Sequence, residues 1–442
     1  MRAFVELSPL IKLLRLFLVS MLALDAPLWA SERTPVTIIH AGVLLTVPGT
    51  SPKTQQSVVI KGGKILAIVD GYVDAGEYTL HQDAEQIDLR DSFVMPGMID
   101  MHVHLTMKGS IPAEDLTKTT HSDYAMVALE NARKTLLAGV TTVRDTGAHS
   151  SQAIIAVRDA INRGSFPGPR IIAAGKALSA TAGHADHFGV REDYADLYQS
   201  SGVCDGVYDC RRAVRDQYKI GAEVIKVMAT GGGADRNGKA DSAPEMFDDE
   251  LHAIVETAHR LNLKVTAHAH GTAGINAALS AGVDSIEHSS YLNDESIRLY
   301  KKTGAHIVAT ASLPRYFQQD PDIPDSVKKL LAKKSMIVSA LLTKAHKEGV
   351  TFSMGTDAGI SNHGENAEEL VAYVEIGMTP MQAIEAATVN AAALLGLSDD
   401  IGTLEVGKEA DLIALSRDPL VDITAMRVVR FVMRNGTIHR QL

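Results

Sequence analysis

Histidines recur in this chain at a spacing that suits metal binding. His102-Val103-His104 and His268-Ala269-His270 each place two imidazoles at positions i and i+2. On an extended segment such residues point to the same side, so both rings can reach one cation. An isolated His-x-His pair is a weak signal, since so short a motif often occurs by chance. Other residues of ligand type stand in similar surroundings. Lys226 lies inside Val224-Ile225-Lys226-Val227-Met228, His288 closes Ser285-Ile286-Glu287-His288, and Asp357 follows Met354-Gly355-Thr356. A lysine within an apolar strand is costly unless neutralised or paired. It can pair with a carboxylate such as Asp145 or Glu287. Held neutral, it can instead react with carbon dioxide to form a carbamate, an anion whose oxygens can bridge two cations.

These side chains need elements to hold them. From Pro96 to about Leu395, short apolar runs alternate with helical stretches. The runs include Gly139 to Arg144, Arg170 to Gly175, Val224 to Met228, Lys264 to His268, Ser285 to His288, His306 to Thr310 and Thr351 to Thr356. Asp249 to Leu261 and Pro380 to Leu395 read as helices. Repeated βα units over this length imply an α/β fold of (β/α)8 TIM-like barrel type, whose active sites sit at the C-terminal ends of the strands. The His-x-His pair, Lys226, His268, His288 and Asp357 fall in order at such strand ends, a joint placement that chance does not explain. Outside this region the chain reads as strands, from Val36 to about Phe93 and again after Gly402. The expected organisation is therefore a removable leader over 1–30, a β-sandwich whose two parts are 31–95 and 402–442, and a barrel over 96–401.

Two longer segments carry a family likeness. Pro96-Gly97-Met98-Ile99-Asp100-Met101-His102-Val103-His104 and Gly402-Thr403-Leu404-Glu405-Val406-Gly407-Lys408-Glu409-Ala410-Asp411-Leu412 resemble the metal-dependent amidohydrolase superfamily. The resemblance spans nearly all of the chain after the leader. It implies that His102, His104 and Asp357 hold one divalent metal, that His268 and His288 hold a second, and that a carboxylated Lys226 bridges them. Zinc suits these nitrogen and oxygen donors, with manganese, cobalt and iron as alternatives. The implied chemistry is attack of a metal-activated hydroxide on an amide carbonyl, with Lys226 and Asp357 as catalytic residues. Asp357 takes the proton and passes it to the leaving nitrogen.

Softer signals concern the substrate. Leu178-Ser179-Ala180-Thr181-Ala182-Gly183-His184, Met228-Ala229-Thr230-Gly231-Gly232-Gly233, Ala267-His268-Ala269-His270-Gly271 and His363-Gly364-Glu365-Asn366-Ala367-Glu368-Glu369-Leu370 resemble dipeptidase members of the superfamily. Those cleave Xaa-Pro or Xaa-Arg/Lys peptides and N-acyl amino acids. A subset, the ochratoxin-A-hydrolysing amidohydrolases, cuts an amide joining an aromatic acyl group to phenylalanine. Ala182-Gly183-His184 departs from the commoner Gly-Gly-His form, which puts the role of that loop in question. His184, His187, His270 and His363 become candidates for gripping a small peptide or N-acyl amino acid, each with an ordinary alternative as a core or loop histidine. Hydrolysis of cyclic amides such as imidazolones or hydantoins is a second reading. A non-catalytic binding relative is a third, although all six ligand positions of the superfamily are filled.

Composition narrows the classes further. The 442 residues exceed what one core usually supports, and 45 % hydrophobic with 22 % charged residues is ordinary for a globular chain. With 43 Lys+Arg against 53 Asp+Glu the net charge is -10, which argues against a nucleic-acid partner. Arg2, Lys12 and Arg15 precede the apolar run Leu16 to Leu24 and a small residue at Ala30, the pattern of a secretory signal. That run is too short for a stable membrane span, which needs about 20 apolar residues. An exported enzyme, periplasmic or secreted, is expected, and a homo-oligomer is compatible with the reading. Cys204 and Cys210 are the only cysteines; they can close a short loop as a disulfide or stay free as thiols.

Overall fold

The computed structural model describes residues 36–78, 84–107, 118–186, 202–232 and 243–442. The expected leader and His187 lie outside them. The chain opens with strands β1 (Val36–Leu44), β2 (Lys53–Lys61), β3 (Lys64–Asp70) and β4 (Ala84–Pro96). Gly62 and Gly63, both at positive φ, make the two-residue loop of the β2–β3 hairpin. That backbone matches the right-handed twist of the paired strands and excludes most side chains.

Alternating units follow. Strand β5 (Met98–Val103) leads to helix α1 (His121–Leu137), β6 (Val140–Asp145) to α2 (Ser151–Asn162), and β7 (Arg170–Ala173) to α3 (Val207–Lys219). Next come β8 (Val224–Met228), α4 (Asp248–Arg260), β9 (Lys264–Ala269), α5 (Thr272–Ala281), β10 (Ser285–His288), α6 (Asp294–Thr303) and β11 (His306–Val308). The helices α7 (Leu313–Gln319), α8 (Asp325–Lys347), α9 (Glu368–Glu375), α10 (Pro380–Ala386) and α11 (Val389–Leu395) lead to the last strands, β12 (Leu412–Leu415), β13 (Val429–Arg434) and β14 (Thr437–Gln441). Helix starts carry their expected chemistry: Thr120 and Asp123 form a reciprocal cap on α1, as Thr379 and Gln382 do on α10.

Strands β5-β6-β7 form one parallel sheet and β11-β10-β9-β8 another. Isolated parallel bridges join their surroundings: Leu178 to Val227, Ile307 to Phe352, and Val103 to Ala358. Strands β5, β6 and β8 are buried along their whole length, as expected where helices cover the faces of a parallel sheet. The expected strand at Thr351 to Thr356 forms no named ladder; it meets β11 through the bridge at Phe352 and β5 through the Met101 amide, which bonds the Met354 carbonyl at 2.8 Å.

The terminal strands differ from the expected two-layer sandwich. They form one seven-stranded sheet in the order β14-β13-β12-β4-β1-β2-β3. Its β3 edge pairs again with the segment entering β12, through Lys64–Glu409 and the Ile65 and Gly407 amides. The sheet thus curls round one apolar cluster that includes Ile39, Val58, Ile65, Leu412 and Phe431. A second difference is the break of the expected Pro380–Leu395 helix into α10 and α11. Thr388 Oγ1 bonds back to the Ile384 carbonyl at 2.6 Å, a local bond that competes with a straight helix. Cys204 and Cys210, both fully buried, are joined as a disulfide at the start of α3.

Gly97 links β4 to β5 where no side chain fits: a Cβ there would stand 2.3 Å from Thr141 Cγ2 and Oγ1. Gly97→Ala is expected to lower stability by about 1–3 kcal/mol, seen as a lower denaturant midpoint at unchanged slope. A midpoint equal to that of the parent would contradict this account of the junction.

Candidate metal centre

The rings are held one nitrogen at a time. His104 Nδ1 bonds the Gly147 carbonyl at 2.7 Å, and His288 Nδ1 meets Thr310 Oγ1 at 2.8 Å. His102 Nδ1 lies 2.6 Å from Glu287 Oε2, and neither atom has another partner. Each contact leaves Nε2 as the unengaged donor and fixes ring orientation, as outer partners do for metal-binding histidines. His268 is turned the other way, with Nε2 3.1 Å from the Gly231 carbonyl, which leaves Nδ1. His270 Nδ1 is held by Ser290 Oγ at 2.7 Å.

These donors converge. Asp357 Oδ1 stands 3.2 Å from His104 Nε2 and 3.5 Å from His102 Nε2. His102, His288 and Asp357 offer ligand atoms within 4.8 Å of one another, and so do His268, His270 and His288. His270 and His288 stack at 4.6 Å between ring centres. His288 and Asp357 both adopt positive φ, 72° and 59°. For residues other than glycine that backbone costs of order 1–3 kcal/mol each and persists where its surroundings over-determine it.

Those surroundings are polar and buried. Asp100 accepts from the amides of His102 and Thr356 and from Thr356 Oγ1 and Asn366 Nδ2, tying β5 to the turn that carries Asp357. Arg144 donates to the Met101 carbonyl at 2.7 Å, to Ser285 Oγ at 3.0 Å and to Glu287 Oε1 at 2.8 Å. Glu287 also accepts from Thr266 Oγ1. Although burial alone would raise it, Glu287 is held at about 2 by Arg144 and His102. Glu369, on α9, accepts the amides of Ala311 and Ser312 at 2.8 Å each. It therefore fixes the turn that presents Thr310 to His288.

Lys226 resolves differently from its ion-paired alternative. Glu287 is taken by Arg144 and His102, while Asp145 accepts the Leu105 and Gly147 amides. Among the described residues no carboxylate pairs with Lys226, which is 1 % exposed, and burial pushes its amine down to about 8. Burial likewise pushes His102 down to about 4 and His270 to about 3, and holds His268 and His288 well below the usual range. Burial would raise Asp357, but His102 and His104 hold it below the usual carboxylate range. Asp357 Oδ1 is buried with no hydrogen-bond partner. Neutral imidazole lone pairs and an unpartnered carboxylate oxygen are a donor set that fits a divalent cation.

The rings open on a cavity of about 530 Å³, lined also by His184, Lys226 and Asp357. His184 stacks on His268 at 4.5 Å. The structure thus brings together His102, His104, Lys226, His268, His288, Asp357, His184 and His270. It does not bring His363 there. His363 lines a separate cavity and contacts Thr135 Oγ1 at 3.0 Å and the His104 carbonyl at 3.3 Å, so it braces β5 from outside the cavity. The sequence reading passed over Arg144, Thr310 and Glu369. Arg144 carried a readable signal, a charged residue in the apolar strand Val140–Asp145, the same oddity that marked Lys226.

Residues 93–439 match the Amidohydrolase family. The chain belongs to this family. It is a hydrolase acting on carbon–nitrogen bonds. An ochratoxinase of Aspergillus niger is 36 % identical over 435 residues, covering 93 % of this chain and 88 % of that protein. The crystal structure of a Xaa-Pro dipeptidase with bound methionine in the active site superposes with TM-score 0.82 at 38 % identity, covering 91 % of this chain and 99 % of the other. An imidazolonepropionase of Symbiobacterium thermophilum is 25 % identical over 428 residues, covering 91 % and 96 %.

Two stability measurements test the supporting network. Arg144→Met leaves Glu287 buried without its cation and should cost about 3–5 kcal/mol; a loss under about 1 kcal/mol would refute the role assigned to Arg144. Burial raises Glu369 from its ordinary 4.5 to about 7, although the Ala311 and Ser312 amides pull it down. The folded protein therefore binds an extra proton between those values. This contribution to stability is complete at low pH and is lost as pH rises through about 7. Glu369→Gln is expected to flatten the fall in melting temperature between about pH 5 and 8.

Proposed function

We propose that this amidohydrolase cleaves the amide bond of dipeptides or N-acyl amino acids whose side chains are apolar, prolyl or aromatic, an aromatic N-acyl phenylalanine such as ochratoxin A included. The observation that carries this reading is the cavity wall beside the imidazoles. Met107, Met228, Leu313, Phe317 and Ile360 line it, and its carboxylates among the described residues are Asp357 and Asp186. Such a wall favours apolar over basic side chains. In this reading the two parallel sheets and their bridges are the staves of a (β/α)8 barrel with the site at its C-terminal end.

His102, His104 and Asp357 would hold one divalent cation, and His268 and His288 a second, with zinc favoured by the donors. A carboxylated Lys226 would join them; an amine pushed down to about 8 by burial, with no carboxylate paired to it among the described residues, is uncharged often enough to take up carbon dioxide. Bound cations supply a water acidified towards neutrality and polarise the amide carbonyl. The protein's own residues do the rest. The Asp357 carboxylate accepts the proton and returns it to the departing nitrogen. Glu287 and Thr310 keep His102 and His288 from turning. His184 and His270 donate to the substrate's carbonyl or carboxylate. The imidazolonepropionase likeness supports a second reading, the opening of a cyclic amide.

We propose export as well, on the leader pattern and on the Cys204–Cys210 disulfide, which belongs to oxidising compartments. A panel of dipeptides and N-acyl amino acids with added zinc tests the main reading. Release of a free amino acid supports it, and ring opening of an imidazolone with no such release would replace it by the second. Lys226→Ala should lose most activity, with partial return on adding short carboxylates; full activity would refute the carbamate. His270→Ala should raise KM or lower kcat while keeping the metal, and a fall in metal content by mass spectrometry would make His270 a ligand instead.

A further inference from the structure

The cavity holds a cation that the chemistry above does not use. Lys176 follows β7 and lines the cavity. Its Nζ donates to the His149 carbonyl at 2.7 Å. That carbonyl neither neutralises the charge nor exhausts an ammonium's three donors. Among the described residues no carboxylate pairs with Lys176, and Asp186 Oδ2, on the same wall, accepts the Ala182 amide instead. Burial pushes the Lys176 amine down. A half-buried cation that no carboxylate answers is costly, so its retention asks for an anion.

A second group points the same way. Thr146 follows β6, is fully buried, lines the same cavity, and its Oγ1 has no hydrogen-bond partner. Buried hydroxyls are normally satisfied. The two turns are fastened to each other and to their strands. The Ala148 amide bonds the Gly175 carbonyl at 2.8 Å, the Thr146 amide bonds the Val103 carbonyl at 3.0 Å, and the Lys176 amide bonds Gln217 Oε1 at 2.9 Å. A ligand therefore meets a fixed cation and a fixed hydroxyl donor.

We propose that Lys176 and Thr146 form an anion subsite that takes the substrate's free carboxylate. The assignment rests on the amide-hydrolase reading and adds to it the residues that select an acid over its uncharged analogue. Lys176 is a specificity residue here, outside the bond-breaking step. An ammonium and a hydroxyl suit a carboxylate, which accepts from both.

The test compares 3-phenylpropionate with 3-phenylpropionamide, which differ at the carboxyl end alone and lack the N-acyl amide that the proposed reaction cleaves. Calorimetric binding to the parent protein should favour the acid by about 10- to 100-fold. Lys176→Met should abolish that preference, Lys176→Arg should keep part of it, and Thr146→Val should reduce it. In turnover, Lys176→Met should raise KM for free-acid substrates far more than it lowers kcat. Equal binding of acid and amide by the parent protein overturns the subsite, as does a preference that survives in Lys176→Met. Binding is read without turnover, so absence of amide hydrolysis across the panel would reject the functional reading and leave the subsite to be judged separately. Metal content and melting temperature of each variant identify one that has merely misfolded.

Discussion

Everything inside the parallel strands must be answered inside, because water does not reach it. Arg144 is the charge that sets the terms. From β6 it bonds the backbone of β5 and the side chains of Ser285 and Glu287 in β10, and Glu287 in turn meets His102 and Thr266. One guanidinium thus ties together strands far apart in sequence and, through Glu287, orients a ring of the candidate metal centre. The same contacts use up Glu287, the carboxylate that Lys226 would otherwise have. The lone amine at Lys226 is a consequence of how Arg144 is satisfied. Removing either partner of such a buried pair leaves an uncompensated charge, so the arrangement resists piecemeal change.

A second constraint is neutrality. Burial beside Lys226 pushes the imidazoles of His102, His268, His270 and His288 below the usual range, so their lone pairs stay available at neutral pH. The strain at His288 and Asp357 is set against that background. Thr310 and the Asp100 network hold both residues in backbone conformations they would not choose alone. Glu369 extends the support outward by fixing the Thr310 turn. The candidate ligands sit on strand ends, but their precision comes from groups one contact further out.

This layering explains what could be read beforehand. The convergence of His102, His104, His268, His288 and Asp357 was legible because strand periodicity and position carry it locally. Lys226 was half legible: its oddity showed in one strand, while its lack of a partner depended on Arg144 in another. Glu369 and Thr310 gave no local sign, since one is an acidic residue on a helix and the other ends an apolar run. His363 misled because nearness to Asp357 in sequence does not place its ring on the cavity side; it faces Thr135 and the β5 backbone instead. The curled sheet was legible as strands and not as one layer, because the Lys64–Glu409 closure joins segments from opposite ends of the chain.

The cavity sets two electrostatic demands that point to one kind of ligand. Its imidazole side offers neutral donors and a carboxylate, which asks for cations. Its Lys176 side offers an ammonium and an unpartnered hydroxyl, which asks for an anion. The remaining wall is largely apolar. On the proposed reading these demands describe a small amphiphile with an amide at one end, a carboxylate at the other and an apolar side chain, which is what an N-acyl amino acid is. A cyclic amide without a carboxylate would meet the first demand and leave the second unanswered, at the desolvation cost of an unpaired cation.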